Sequence, residues 1–83
     1  TKKAYEWYEE QKQGLGDHFL SELDTCYRKL ASHPEHYGKI KKNFRQVAVK
    51  RFPFVVVYEI LKKEVVVFAV FHTKQNPKRK TKD

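Results

Sequence analysis

Two apolar runs dominate the chain: Phe54-Val55-Val56-Val57-Tyr58-Glu59-Ile60, and, after Leu61-Lys62-Lys63-Glu64, Val65-Val66-Val67-Phe68-Ala69-Val70-Phe71-His72. Short runs rich in β-branched and aromatic residues, joined by a charged break, predict an antiparallel hairpin. Side chains alternate across a pleated sheet, so Phe54, Val56, Tyr58 and Ile60 should share one face and Val55, Val57 and Leu61 the other, where only Glu59 interrupts. Simple alternation on the second run puts Val65, Val67, Ala69 and Phe71 on one side and Val66, Phe68 and Val70 on the other. Both faces of the hairpin therefore need cover. A chain of 83 residues buries only about 60% of its unfolded surface, so its own helices are expected to cover one face and a partner or second copy the other.

Upstream of the hairpin the period changes. Ala4, Trp7, Tyr8 and Gln11 recur at helical spacing over residues 1–13, with Glu6, Glu9, Glu10 and Lys12 on the opposite side. Trp7 and Tyr8 are expected in the core. Gly14-Leu15-Gly16 ends this helix, Gly14 taking the left-handed position after it, and Asp17 is placed to cap a second helix over 17–32. The second stripe comprises Phe19, Leu20, Leu23, Cys26, Tyr27 and Leu30, wide enough to lie on a sheet; Cys26 reads as core, and His33-Pro34 ends the helix. So short a connection makes the helices an antiparallel pair. A polar linker over 33–43 then leads to a half-exposed strand over 44–51, where Val47 and Val49 alternate with polar neighbours and Pro53 breaks it from the next. The fold class is thus α+β: an antiparallel helical hairpin packed on a small, mainly antiparallel β-sheet, one domain over 1–83 with a basic, flexible tail from about 73 to 83.

Charge narrows the partners. Residues 1–38 carry five basic against seven acidic side chains, −2, whereas residues 39–83 carry thirteen against three, +10, which recovers the net +8. Such a segregated field attracts a polyanion or an acidic protein segment, and does so in a salt-dependent way. One cysteine excludes an internal disulfide and fits the reducing cytoplasm; no Cys/His spacing suits a metal, no cofactor motif is present, and no apolar run approaches the roughly 20 residues that cross a bilayer. Arg45, Lys50, Arg51 and His72 are the polar residues that could serve as cations or a general acid or base near the sheet.

Five phrases, in order and at matching spacing, carry a resemblance: Ala4-Tyr5-Glu6-Trp7-Tyr8-Glu9-Glu10-Gln11, Gly14-Leu15-Gly16-Asp17-His18-Phe19-Leu20, His33-Pro34-Glu35-His36-Tyr37, Arg51-Phe52-Pro53-Phe54 and Ala69-Val70-Phe71-His72. From about Ala4 to Pro77 the chain resembles the RelE/ParE toxin superfamily, and most closely its ParE, or plasmid-stabilisation, branch. The resemblance implies a bacterial toxin neutralised by the acidic, apolar tail of a cognate antitoxin, with a homodimer or a heterotetramer with the antitoxin as the assembly. DNA gyrase is the implied target, and the ribosome is the less favoured one. It also implies a strand ahead of the first helix that is not among these residues, which would leave a sheet edge for pairing. The RNA-cleaving branch of the superfamily places an arginine three residues before the tyrosine that corresponds to Tyr58; Val55 stands there. The implied activity is therefore gyrase inhibition without catalysis, the alternatives being a ribosome-dependent mRNA endoribonuclease or an inactive relic that still binds antitoxin. Arg45, Arg51, Tyr58, His72, Lys74, Lys78 and Arg79 are the residues expected to face antitoxin or target.

Overall fold

The computed structural model describes residues 2–74. Two helices, α1 (Lys2–Gln11) and α2 (Leu15–Ser32), precede four strands, β1 (Lys39–Lys41), β2 (Phe44–Ala48), β3 (Phe54–Leu61) and β4 (Glu64–His72). The strands form one antiparallel meander in the order β1-β2-β3-β4. Lys62 and Lys63 alone join β3 to β4, both at positive φ (50° and 71°), the twisted two-residue turn that suits a right-handed hairpin.

α2 lies on one face of this sheet because one row of its surface is apolar. Gly16, Phe19, Leu23, Cys26 and Leu30 are buried at alternating spacings of three and four, and the last four of them cluster with Val47, Val56 and Tyr58 of the strands and with Val49 just after β2. Leu20, one position outside that row, is exposed, so the stripe is narrower than its composition suggests. α1 has no buried residue and folds back on α2, contributing Tyr8, whose ring packs 5.3 Å from Phe19 and 4.9 Å from Phe52. Trp7, expected in the core, is 57% exposed, its ring edge-on to Tyr8 at 5.2 Å between centroids. The reason is angular: with Ala4 and Tyr8 turned to the core, a residue one step from Tyr8 is swung about 100° away from it.

The turn between the helices is tied by a side chain from α1. Helix α2 starts at Leu15, two residues ahead of Asp17, and its N-cap is Gly14 at φ 89°, which has no side chain to cap with. Glu9 supplies the cap: its Oε1 accepts the Gly14 and Gly16 N–H groups at 3.1 and 2.8 Å, satisfying donors that would otherwise be orphaned at the helix start. Gly16 is required here for a second reason. A Cβ at this position would lie 2.7 Å from the Tyr5 carbonyl oxygen, so the bare backbone lets the helices close.

Two differences in the sheet matter for function. β1 arises inside the polar linker, three exposed residues whose strand exists only through pairing with β2. β4 contains a bulge: Val57 pairs with Ala69 but Tyr58 with Val67, which leaves Phe68 as the extra residue. The extra residue resets the alternation. Val65, Val67, Val70 and His72 share the helix-side face with Ile60, Tyr58, Val56 and Phe54, whereas Val66, Ala69 and Phe71 lie on the outer face with Glu59, Val57 and Val55.

Candidate functional site

Register settles which candidate side chains can meet. Arg45 pairs with Tyr58 and His72 with Phe54, so both belong to the helix-side face of the sheet. Val55 belongs to the outer face, between Ala48 and Phe71, and is 8% exposed. Arg45 also sits five residues from Lys50, about 16 Å along an extended backbone, at the opposite end of β2 from the turn that carries Lys50 and Arg51. Arg45, Lys50, Arg51 and His72 therefore do not form one patch.

Arg45 and Tyr58 act together on the loop after α2. The Arg45 Nη1 donates to the Tyr37 carbonyl at 2.6 Å and to the Glu35 carbonyl at 3.4 Å, while the Tyr58 hydroxyl donates to the Pro34 carbonyl at 2.6 Å. These bonds hold residues 34–37 against the sheet and give partners to carbonyls the loop could not satisfy itself. Tyr58 is 0% exposed, so it has no surface to offer a partner. Burial pushes its hydroxyl above the usual tyrosine range, the nearby Arg45 charge opposing that rise.

His72 closes the far end of the hairpin. Its ring packs edge-on to Phe54 at 5.0 Å, and its Nδ1 accepts the Lys74 N–H at 3.1 Å. Thr73 N–H donates to the Pro53 carbonyl at 2.8 Å, which brings the end of β4 beside the β2–β3 connection. Lys50, Arg51 and Lys74 are exposed at this end. Lys78 and Arg79 lie outside the described residues.

A groove of about 320 Å³ runs between α2 and β2, lined in part by Glu22, Cys26, Lys29, Tyr37 and Lys50. At its floor the Cys26 thiol donates to the Ala48 carbonyl at 3.4 Å, and burial pushes that thiol up, which disfavours the thiolate a nucleophile needs. Among the described residues no group of three His, Cys, Asp or Glu side chains is arranged to hold a metal ion.

None of the contact residues expected from the sequence is an apolar residue of the sheet's outer face. Phe68, displaced by the bulge, is 63% exposed, with Phe44 at 5.2 Å and Phe71 at 6.4 Å between ring centroids. Leu61 and Val66 are exposed beside them, while Val55 and Val57 are covered by their neighbours on the same sheet. The hairpin's second greasy face was readable from alternation; the protrusion of Phe68 depended on the bulge.

A family model described as the ParE toxin of the type II toxin-antitoxin system, parDE, matches residues 1–77. The chain belongs to the ParE toxin family. Neither a curated protein nor a solved structure matches it. As a ParE-family toxin it is one half of a type II toxin-antitoxin pair, and a cognate antitoxin is its partner. None of the described helices is long and apolar enough to cross a membrane.

Proposed function

We propose that this ParE-family toxin is a non-enzymatic inhibitor of DNA gyrase, acting in the cytoplasm of a bacterium as part of a plasmid-stabilisation system and silenced by its antitoxin. The observation that carries the reading is Val55. RNA cleavage by 2′-hydroxyl attack needs a base, an acid and a cation gathered within hydrogen-bond reach of one phosphate. The strand position where the RNA-cleaving branch keeps its arginine holds an apolar, 8% exposed side chain, and Arg45 and His72 lie on the other face of the sheet. Arg45 is further committed to backbone carbonyls at 2.6 and 3.4 Å, and burial pushes the buried Cys26 thiol up, away from the thiolate a nucleophile needs. What remains is a binding protein with a basic surface, suited to engaging a larger target rather than to transforming a small one.

Induction of the chain in bacteria, with plasmid supercoiling, DNA breaks and transcript integrity followed together, tests this. Relaxed or broken DNA with intact transcripts is the expected result, and purified gyrase should lose supercoiling activity when the chain is added. Cut transcripts with normal supercoiling would establish the endoribonuclease instead, and normal growth with both intact would mark an inactive relic.

A further inference from the structure

The β1–β2 and β3–β4 turns lie at the same end of the meander, because Phe44, the first residue of β2, pairs with Glu59 near the end of β3. The β3–β4 hairpin continues past that row by Ile60 and Leu61, so its tip projects beyond the last paired row of β2. Three lysines in these turns stand where the backbone favours a different residue. Lys42, Lys62 and Lys63 have φ of 52°, 50° and 71°, a left-handed conformation that glycine or asparagine holds at lower cost, and Asn-Gly is the preferred pair in a two-residue hairpin turn. Charge is thus kept at the tip against local conformational preference.

Exposed apolar side chains crowd the same end. Ile40, Leu61 and Val66 leave 43%, 46% and 41% of their surface open, and Phe68 continues the patch toward the middle of the outer face. Lys39 and Lys41, in β1, are exposed beside the three turn lysines. The acidic residues in these strands and turns are Glu59 and Glu64, so five lysines against two glutamates leave a local excess of three positive charges. Arg45 and, on the loop it ties down, Glu35 add one charge of each sign. The opposite end of the sheet carries Lys50, Arg51 and Lys74.

We propose that this end of the sheet is a membrane-surface contact: Ile40 and Leu61 enter the headgroup boundary of a bilayer that contains anionic phospholipid, and the surrounding lysines meet its phosphates. The chain lies on such a surface rather than crossing it, since none of its described helices is long and apolar enough to span. The pairing of aliphatic tip and lysine rim is what selects this occupant. Isoleucine, leucine and valine offer no ring face on which a base could stack, whereas acyl chains accept them. Each lysine near an anionic leaflet strengthens binding about fivefold, an effect that salt screens, and the buried aliphatic area adds a part that salt leaves in place. Neither signal holds a protein firmly alone; together they do.

The test is co-sedimentation of the purified chain with vesicles of phosphatidylcholine alone, or of phosphatidylcholine and phosphatidylglycerol in equal parts, across a range of salt. The parent should bind the mixed vesicles only, and less as salt rises. Lys62→Asn combined with Lys63→Gly should lower that affinity at least about tenfold, with a shallower salt dependence, while melting no lower than the parent because the strained lysines are gone. Ile40→Thr combined with Leu61→Gln should weaken binding at least about threefold with the salt dependence kept, and the fold should hold because both side chains are exposed. Lys50→Asn combined with Arg51→Gly makes the same charge change at the opposite end and should leave vesicle affinity within about twofold of the parent. Failure of the parent to bind mixed vesicles overturns the assignment. So does an equal loss in the Lys50 and Arg51 variant, which would reduce the effect to net charge, or unchanged binding in the Ile40 and Leu61 variant. A chain that ignores the vesicles but binds single-stranded oligouridine through Lys62 and Lys63 would give this end to nucleic acid instead.

Discussion

Gly16→Ala sets two local forces against each other with opposite signs. Helix propensity alone favours alanine over glycine by up to about 1 kcal/mol within a helix, and Gly16 lies in the first turn of α2. Against that, the new methyl carbon would stand 2.7 Å from the Tyr5 carbonyl oxygen, where ordinary contact begins near 3.4 Å, and 2.8 Å from two Tyr5 ring carbons. The ring can turn aside, but the carbonyl belongs to the backbone of α1, so the whole helix must retreat by roughly the missing 0.7 Å. Overpacking of this kind costs about 1–3 kcal/mol. Retreat also stretches the 2.8 Å bond from the Gly16 N–H to Glu9 and pulls Tyr8 away from Phe19 and Phe52. The propensity gain offsets only part of this, and the net loss is about 1–2 kcal/mol, a fall in melting temperature of about 4–16 °C for a domain this small. Thermal unfolding followed by circular dichroism at 222 nm measures it. Repeating the substitution in a Tyr5→Ala background should retain most of the loss, because the backbone oxygen stays in place. A melting point that rises by several degrees, as propensity by itself demands, would refute the close helix approach and the reason given for glycine.

Other outcomes follow from the same geometry. Tyr58→Phe removes the side-chain donor to the Pro34 carbonyl and should destabilise the fold by about 1–2 kcal/mol, readable in urea unfolding, with residues 33–38 gaining hydrogen exchange. Arg45→Met should loosen the same loop through its Tyr37 and Glu35 carbonyls, whereas Arg51→Ala, at an exposed position, should leave the melting point within a few degrees of the parent. Burial raises the Cys26 thiol above its ordinary value of 9.0 and the Tyr8, Tyr27 and Tyr58 hydroxyls above theirs of 10.0. The folded state thus holds these protons more tightly than the unfolded chain, so this stability is complete below about pH 9 and is lost as pH climbs past the unfolded values; urea midpoints at pH 8 and pH 10.5 should fall in that order. Native Cys26 should also react with iodoacetamide far more slowly than in urea, and equal rates would contradict its burial.

The hairpin and the α+β class were legible because a period of two and a period near 3.6 are printed directly in residues 54–72 and 4–30. The site was less so. Arg45, Tyr58 and His72 share sequence features with contact residues, yet Arg45 and Tyr58 hold residues 34–37 to the sheet and His72 packs on Phe54. Long polar side chains reach backbone carbonyls eight to 24 residues away, and no local pattern records where those carbonyls lie. Trp7 and Leu20 show the same limit from the apolar side: both sit beside a core stripe, and only the position of the neighbouring element decided that the stripe was one residue wide there.

What the sequence by itself determined was the family, the order of the elements, the two-faced hairpin and the basic C-terminal half, because each is a property of composition and spacing within a few residues. Tertiary structure alone decided that β1 forms, that the helix start is capped by Glu9 from another helix, and that Phe68 leaves the alternation to stand on the outer face. Each of those depends on a hydrogen-bond partner supplied from elsewhere in the chain. A bulge in particular changes side-chain direction by pairing rather than by residue type, so it becomes visible only once the strand beside it is in place.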